Sequence, residues 1–247
     1  MTTLFPPPFT ELVQLAQALR REGYAVLSPA ALSELAGPSL GDLDALRASW
    51  NRLPPDAYLR DGGRYRRRRH ACYNADCEDL RSVARRAHWQ PLEYNALHGG
   101  LERWFDSVEA EVAQSAAWRH LILALAKVAG DLKGLQTWSV EAHQFRIDTS
   151  DGIGRPTPEG AHRDGVDLVA VLLVDRHAVK GGETRVFDAR GPSGQRFTMN
   201  LPWTALLLDD ERVIHETTPI QPLAEGGYRD TLVLTYRAGG FQGPAAT

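Results

Sequence analysis

The sequence predicts a mainly β protein with flanking α-helices: a jelly roll, two sheets folded over each other, buttressed by N-terminal helices. Three observations predict it. From Val140 onward, about eight strand-like runs recur, separated by Gly, Pro and Asp. Before that point, apolar residues recur at helical spacing instead. Leu168 to Val174 is apolar on both faces, as expected of a strand with barrel interior on one side and helices on the other.

The elements follow in order. Phe9 to Glu22 carries the stripe Leu12, Leu15, Ala16, Leu19, with Thr10 as N-cap and Gly23 as terminator, and predicts a helix. Tyr24–Leu27 reads as a short strand. Pro29 to Asn51 reads as helical with a break near Gly37-Pro38. Leu97 to Trp104 and Val108 to Val128 read as one or two further helices, with Gly130 near the end. The strands are then Val140–Ile147, Gly160–Asp164, Asp167–Val174, Glu183–Ala189, Gln195–Leu201, Ala205–Asp209, Val213–Ile220 and Arg229–Arg237. No linker separates the halves. The expectation is one domain over 1–247, with 1–139 as helical support and 140–237 as the jelly-roll core.

The composition narrows the function classes. A chain of 247 residues can bury a sizeable core without staples. The net charge of −3 argues against an electrostatic nucleic-acid binder. Two cysteines, Cys72 and Cys77, provide neither a disulfide framework nor a four-ligand zinc site, and read as buried small residues. Trp203 and the other tryptophans read as core or wall. The N-terminal stretch lacks a basic region followed by an apolar core, and no apolar run is long enough to span a membrane. A reducing, cytoplasmic setting with no membrane partner is expected. The oligomeric state is not legible.

His162 and Asp164 stand at i and i+2, so on an extended chain they point to the same side. His215 follows on a later strand, in Val213-Ile214-His215-Glu216-Thr217. Two imidazoles and one carboxylate hold one face of a ferrous ion and leave three positions open, where zinc prefers a closed tetrahedral set. The competing reading is a set of unrelated hydrogen-bonded histidines; His70, His88, His98, His120, His143 and His177 lie outside the pattern.

Arg229 opens the last strand, with Thr231 at i+2 on the same side. The pair can supply two N–H bonds and one O–H bond to a carboxylate, suiting the distal end of a bidentate 2-oxo acid. The bland reading is a strand-end ion pair with Asp230. Arg237 competes for the role from the far strand end. Together the triad and Arg229 point to a non-haem iron, 2-oxoglutarate-dependent oxygenase, with dioxygen as oxidant.

On Val140–Ile147, Gln144 and Arg146 share one face and His143, Phe145 and Ile147 the other. Gln144 and Arg146 are expected near the co-substrate or substrate; a solvated face is the alternative. The run Arg64-Tyr65-Arg66-Arg67-Arg68-Arg69-His70 has three readings: a nucleic-acid patch, arginines entering the site to bind a substrate carboxylate, or a solvated surface strand.

The blocks His143-Gln144-Phe145-Arg146-Ile147, His162-Arg163-Asp164, Gly181-Gly182-Glu183, Val213-Ile214-His215-Glu216-Thr217-Thr218-Pro219 and Tyr228-Arg229-Asp230-Thr231-Leu232-Val233-Leu234-Thr235 appear in this order. In them the chain resembles the bacterial 2OG-Fe dioxygenase family that includes L-isoleucine 4-hydroxylase and biofilm stress and motility protein A-like members. The resemblance covers about residues 140 to 237, and more weakly the basic stretch near residue 65. It implies a double-stranded β-helix, a ferrous centre and 2-oxoglutarate as co-substrate, and it supports placing Gln144 and Arg146 near the site. Halogenating relatives lack the ligand carboxylate, so Asp164 implies hydroxylation. The family's amino-acid hydroxylases imply a small substrate, a free L-amino acid with an aliphatic or thioether side chain. The alternatives are an oxygenase acting on peptide or nucleic acid, and a catalytically silent 2-oxoglutarate-binding sensor.

Overall fold

The computed structural model describes residues 5–76, 78–95 and 97–244. Cys77 lies outside them. In chain order the elements are α1 (Leu15–Glu22), β1 (Tyr24–Leu27), α2 (Pro29–Ala36), α3 (Leu40–Leu46), β2 (Arg66–Ala75), β3 (Leu80–Val83), α4 (Ala110–Ala113) and α5 (Ala116–Lys133). Then come β4 (Trp138–Asp148), β5 (Leu168–His177), β6 (Val179–Gly181), β7 (Thr184–Asp188), β8 (Gly194–Phe197), β9 (Ala205–Asp209), β10 (Val213–Thr217), β11 (Ile220–Pro222) and β12 (Tyr228–Arg237).

The strands form a seven-stranded sheet in the order β1-β9-β5-β12-β4-β2-β3, a three-stranded sheet β10-β7-β8 and a two-stranded ribbon β11-β6. All of these pairings are antiparallel.

The helices cover one face of the large sheet. Trp118, Leu121, Ile122 and Leu125 of α5 share a core with Val140, Ala142, Ala170, Leu172, Leu232 and Leu234. Each fully buried Leu or Ile there contributes about 1.5–3 kcal/mol of transfer free energy. Two polar tips are satisfied inside this core: Trp118 Nε1 donates to the Tyr73 hydroxyl at 3.0 Å, and the Tyr236 hydroxyl donates to the Ile122 carbonyl at 3.0 Å. The other face of the large sheet packs on the small one through Val169, Leu173, Val186, Phe197, Leu206 and Val213. β5 is therefore apolar on both faces, as its sequence predicts.

Local chemistry sets the helix ends. Ser28 accepts from Ala31 N with Pro29 at the first turn, Ser39 and Asp42 form a reciprocal capping box, and Ser115 accepts from Trp118 N. Gly23 closes α1 in the left-handed region at φ 78°, and a Cβ there would lie 2.7 Å from Val213 Cγ1.

Three expectations need correction. Thr10 caps no helix: its Oγ1 accepts from Val26 N at 3.4 Å, and the first helical turn starts at Leu12. Leu97 to Trp104 is not helical, because Gly100 takes φ 69° and the chain is drawn out to bridge Arg103 to His88. Gly160–Asp164 makes a single bridge, His162 to His215, between left-handed turns at Gly160 and Gly165. Of the arginine run, Arg66–Arg69 lie in β2, which pairs along its length with β4, in keeping with the extended readings of that stretch.

Candidate metal centre and active site

Strand alternation decides what faces the space between the sheets. Arg229, Thr231, Val233 and Thr235 of β12 line a cavity there, opposite Ile147, Phe145, His143 and Glu141 of β4, their register partners. Arg66 and Arg68 of β2 join the same wall. The cavity encloses about 920 Å³ of space counted out into the solvent at its mouth.

His162, Asp164 and His215 enter this cavity from the other side. The backbones of His162 and His215 exchange two hydrogen bonds, at 3.0 and 2.9 Å, which sets the rings side by side with centroids 4.6 Å apart. Asp164 reaches both: its Oδ1 lies 3.9 Å from His162 Nε2 and its Oδ2 lies 3.9 Å from His215 Nε2. Ligand atoms of the three lie within 4.8 Å of one another. His162 Nδ1 faces the Gly160 carbonyl at 2.9 Å, which directs a lone pair on Nε2 toward the centre.

The electrostatics suit a cation. Burial lowers the His162 pKa, but the carboxylates of Asp164 and Glu159 outweigh it and raise the ring above its ordinary value. Burial, with His162 alongside, holds His215 well below its ordinary value and therefore neutral. Asp210 accepts the backbone N–H groups of Asp164, Gly165 and Val166, and so fixes the loop that carries Asp164.

Arg229 is 3% exposed, and its Nε and Nη2 have no partner among the described residues. Burial and the neighbouring Arg176 push its pKa down to about 9. Its chain neighbour Asp230 does not neutralise it. Asp230 points to the opposite face, where Arg146 Nε and Nη2 donate to its two oxygens at 2.7 and 2.6 Å. A buried guanidinium without a counter-ion is costly, so this arrangement fits an anion that arrives with a ligand. Gly182, at φ 69°, sits against it: a Cβ there would lie 3.6 Å from Arg229 Cδ and 3.1 Å from Ile220 Cγ2.

Gln144 and Arg146 are placed otherwise than expected. Both face the helical layer, away from the cavity. Gln144 Nε2 donates to Ser49 Oγ at 2.8 Å, and Arg146 also donates to Asn51. Period-2 alternation requires that they share a face; burial against the helices decides which one. Arg237 stays at the far strand end and donates to the Gly240 carbonyl. Arg229 and Thr231 do reach the cavity.

Several cavity residues carry no sequence pattern. Gln90, Asn95, Arg103 and Glu159 come from irregular segments. Arg103 lies in a stretch whose expected helix does not form. His70, His88, Glu141 and His143 form a second close group with ligand atoms within 4.8 Å of one another. There Glu141 accepts from His70 Nε2 at 3.1 Å and from His88 Nδ1 at 3.2 Å. His143 stands out as part of a sequence block, but its inward direction does not follow from that block.

Residues 47–235 match the 2OG-Fe dioxygenase family. The chain belongs to that family. The dioxygenase therefore uses ferrous iron and 2-oxoglutarate, and its two-sheet core is a double-stranded β-helix. It is similar to the crystal structure of a bsmA homolog from Methylobium petroleophilum PM1, with a TM-score of 0.92 and 51% identity, covering 99% of this chain and 100% of that one. It is also similar to IDO from Bacillus thuringiensis (TM-score 0.75, 16% identity, 96% of this chain and 100% of that one). A third likeness is to the Fe(II)/α-ketoglutarate-dependent dioxygenase TqaL (TM-score 0.68, 21% identity, 94% and 90%). The last two show the fold alone. No curated protein sequence matches the dioxygenase. Among the described residues no helix is long and apolar enough to cross a membrane.

Proposed function

We propose that the dioxygenase hydroxylates an unactivated C–H bond of a free L-amino acid. In this reading His162, Asp164 and His215 hold the iron, and Arg229 with Thr231 holds the distal carboxylate of 2-oxoglutarate. One observation carries the co-substrate assignment: a fully buried, unpartnered guanidinium lines the same cavity as the two-histidine, one-carboxylate group. The donor set fits ferrous iron, with two neutral-capable imidazoles, one carboxylate and open positions.

When bound, iron and 2-oxoglutarate supply with dioxygen an oxidant able to break a C–H bond, with succinate and carbon dioxide as co-products. The chain's own residues bind, orient and exclude water. Gln90 and the backbone cradle around Asp210 orient Asp164. Phe145, Val171 and Val233 supply apolar walls beside the reacting centre. Retention of Asp164 favours hydroxylation over halogen transfer.

A zwitterion is supported by matched leftovers: guanidinium N–H groups of β2 and an unpartnered oxygen of Glu159 line the same cavity. A nucleic-acid substrate is less supported. Alternation turns Arg66 and Arg68 inward, while Arg67 meets Asp148 and Arg69 donates to backbone carbonyls of Ser107 and Arg52.

The test incubates iron-loaded protein with 2-oxoglutarate, ascorbate and each proteinogenic L-amino acid. Succinate release and a product heavier by one oxygen atom are expected. Turnover on a peptide or oligonucleotide, and on no amino acid, would overturn the substrate assignment. The double variant His162→Ala, His215→Ala should lose its iron; full occupancy in it would remove the ligand assignment.

A further inference from the structure

Three arginines of the cavity wall have more donors than the protein uses. Arg66, Arg68 and Arg103 are 6%, 3% and 2% exposed. Each keeps a buried N–H group without a partner among the described residues: Nη2 of Arg66, Nε of Arg68 and Nε of Arg103. All three residues line the cavity that contains the metal centre. Such orphans are rare in folded proteins unless a ligand satisfies them.

The local carboxylates do not account for them. Asp56 and Glu159 are the acids of this corner, and both act on Arg103. Asp56 accepts from Arg66 Nε at 2.7 Å and lies 3.9 Å from Arg68 Nη1. Glu141 is already taken by His70 and His88. Arg103 Nη2 donates to the neutral amide oxygen of Gln90 at 2.9 Å. Crowded burial leaves its mark: desolvation and the neighbouring Arg66 push the Arg103 pKa down to about 10.

The arrangement is also rigid. The Arg68 guanidinium is stacked between Phe105 and Phe145, 3.7 and 4.4 Å from their ring centroids. Its Nη2 donates to His143 Nδ1 at 2.7 Å. That bond gives the second histidine group its role. With a guanidinium held against His143, and with His70 and His88 donating to Glu141, the group is a hydrogen-bonded support for Arg68. A cation there would meet the guanidinium's charge.

Resting on the amino-acid reading above, we propose that Arg66, Arg68 and Arg103 form an anion subsite that binds the carboxylate of the prime substrate. It is distinct from the Arg229 end, which takes the co-substrate. Three buried guanidinium N–H groups on the wall of one cavity suit a carboxylate, which accepts at both oxygens. The subsite comes from β2 and from the irregular segment before α4, outside the metal-bearing jelly-roll strands.

The test uses the full-length holoenzyme with iron and 2-oxoglutarate under anaerobic conditions, so that ligands bind without turnover. The probes are free L-amino acids, the matching amino-acid amides, and N-acetyl amino acids. A free acid should raise the melting temperature and its amide should not; this comparison needs no variant. In separate aerobic turnover assays, Arg103→Gln should raise KM for the acid about tenfold or more, while KM for the co-substrate stays within about twofold. Arg68→Lys, which keeps charge but loses the fork, should also weaken the acid. An amide that binds as well as its acid, or an unchanged acid KM in both variants, overturns the subsite. Binding by N-acetyl acids but by no free amino acid, lost in Arg103→Gln, upholds the subsite and removes the amino-acid assignment.

Discussion

Gln90 holds Asp164 in the cavity: its Nε2 donates to Asp164 Oδ1 at 3.0 Å, while its Oε1 accepts from Asn95 Nδ2 at 3.1 Å and from Arg103 Nη2 at 2.9 Å. One amide therefore ties the candidate iron ligand to an arginine of the proposed anion subsite. The orientation of the amide follows from these partners, because a reversed amide would set its oxygen against a carboxylate.

Gln90→Leu should weaken iron binding by roughly ten- to a hundredfold and lower kcat, as outer partners of metal ligands commonly do. Gln90→Glu should weaken it further by placing a second carboxylate beside Asp164. Iron titration of the purified variants checks this. An unchanged iron affinity in Gln90→Leu would show that Asp210 alone orients Asp164.

Arg229→Gln should raise KM for the co-substrate and leave iron binding intact. A buried charge-assisted contact of this kind is worth on the order of 2–4 kcal/mol, roughly thirty- to a thousandfold in affinity. Steady-state kinetics in both substrates, with iron content measured in parallel, decides it. An effect confined to the prime substrate would exchange the two roles.

Arg146→Met should destabilise the fold by roughly 3 kcal/mol without emptying the cavity of any polar group. The reason is Asp230, whose side chain is 3% exposed and whose only bidentate partner among the described residues is Arg146. Denaturant midpoints measure the loss. A variant with unchanged stability but a raised co-substrate KM would return Arg146 to the binding site.

Stability should fall as the pH falls from about 6.5 to about 4. Burial holds His88 neutral, pushed down to about 4 from 6.5, and it donates to Glu141 as a neutral ring. Between these values the unfolded chain binds the proton and the folded chain does not, so stability rises with pH across the window. The full shift is worth roughly 3 kcal/mol. Glu141, held below the usual carboxylate range by its histidine neighbours despite burial, adds a loss of the same sign at still lower pH. Urea titrations at stepped pH should show a shallower slope in His88→Gln; an identical slope would assign the acid sensitivity elsewhere.

Much of the centre is legible before any fold is known. His162 and Asp164 at i and i+2, with His215, give a donor set suited to a ferrous ion, and the structure brings the three together although residues 160–164 make only one bridge. Arg229 and Thr231 are legible because strands alternate. Alternation also sorts β4 into two sets, but it cannot say which set faces the cavity. The pattern leaves both directions open and the family resemblance supports Gln144 and Arg146 near the site, whereas the structure turns them to the helical layer.

What the sequence determined by itself was the order of ligand types, the strand periodicity and the turn-forming glycines, all properties of neighbours along the chain. Only the tertiary structure decided that Gln90 and Arg103 stand beside Asp164, that His143 supports Arg68, and that the arginine run divides between cavity and surface. These contacts join irregular segments and separate strands with no shared periodicity. They form because the two sheets and the helical layer enclose one cavity, and burial there sets which polar groups must find partners.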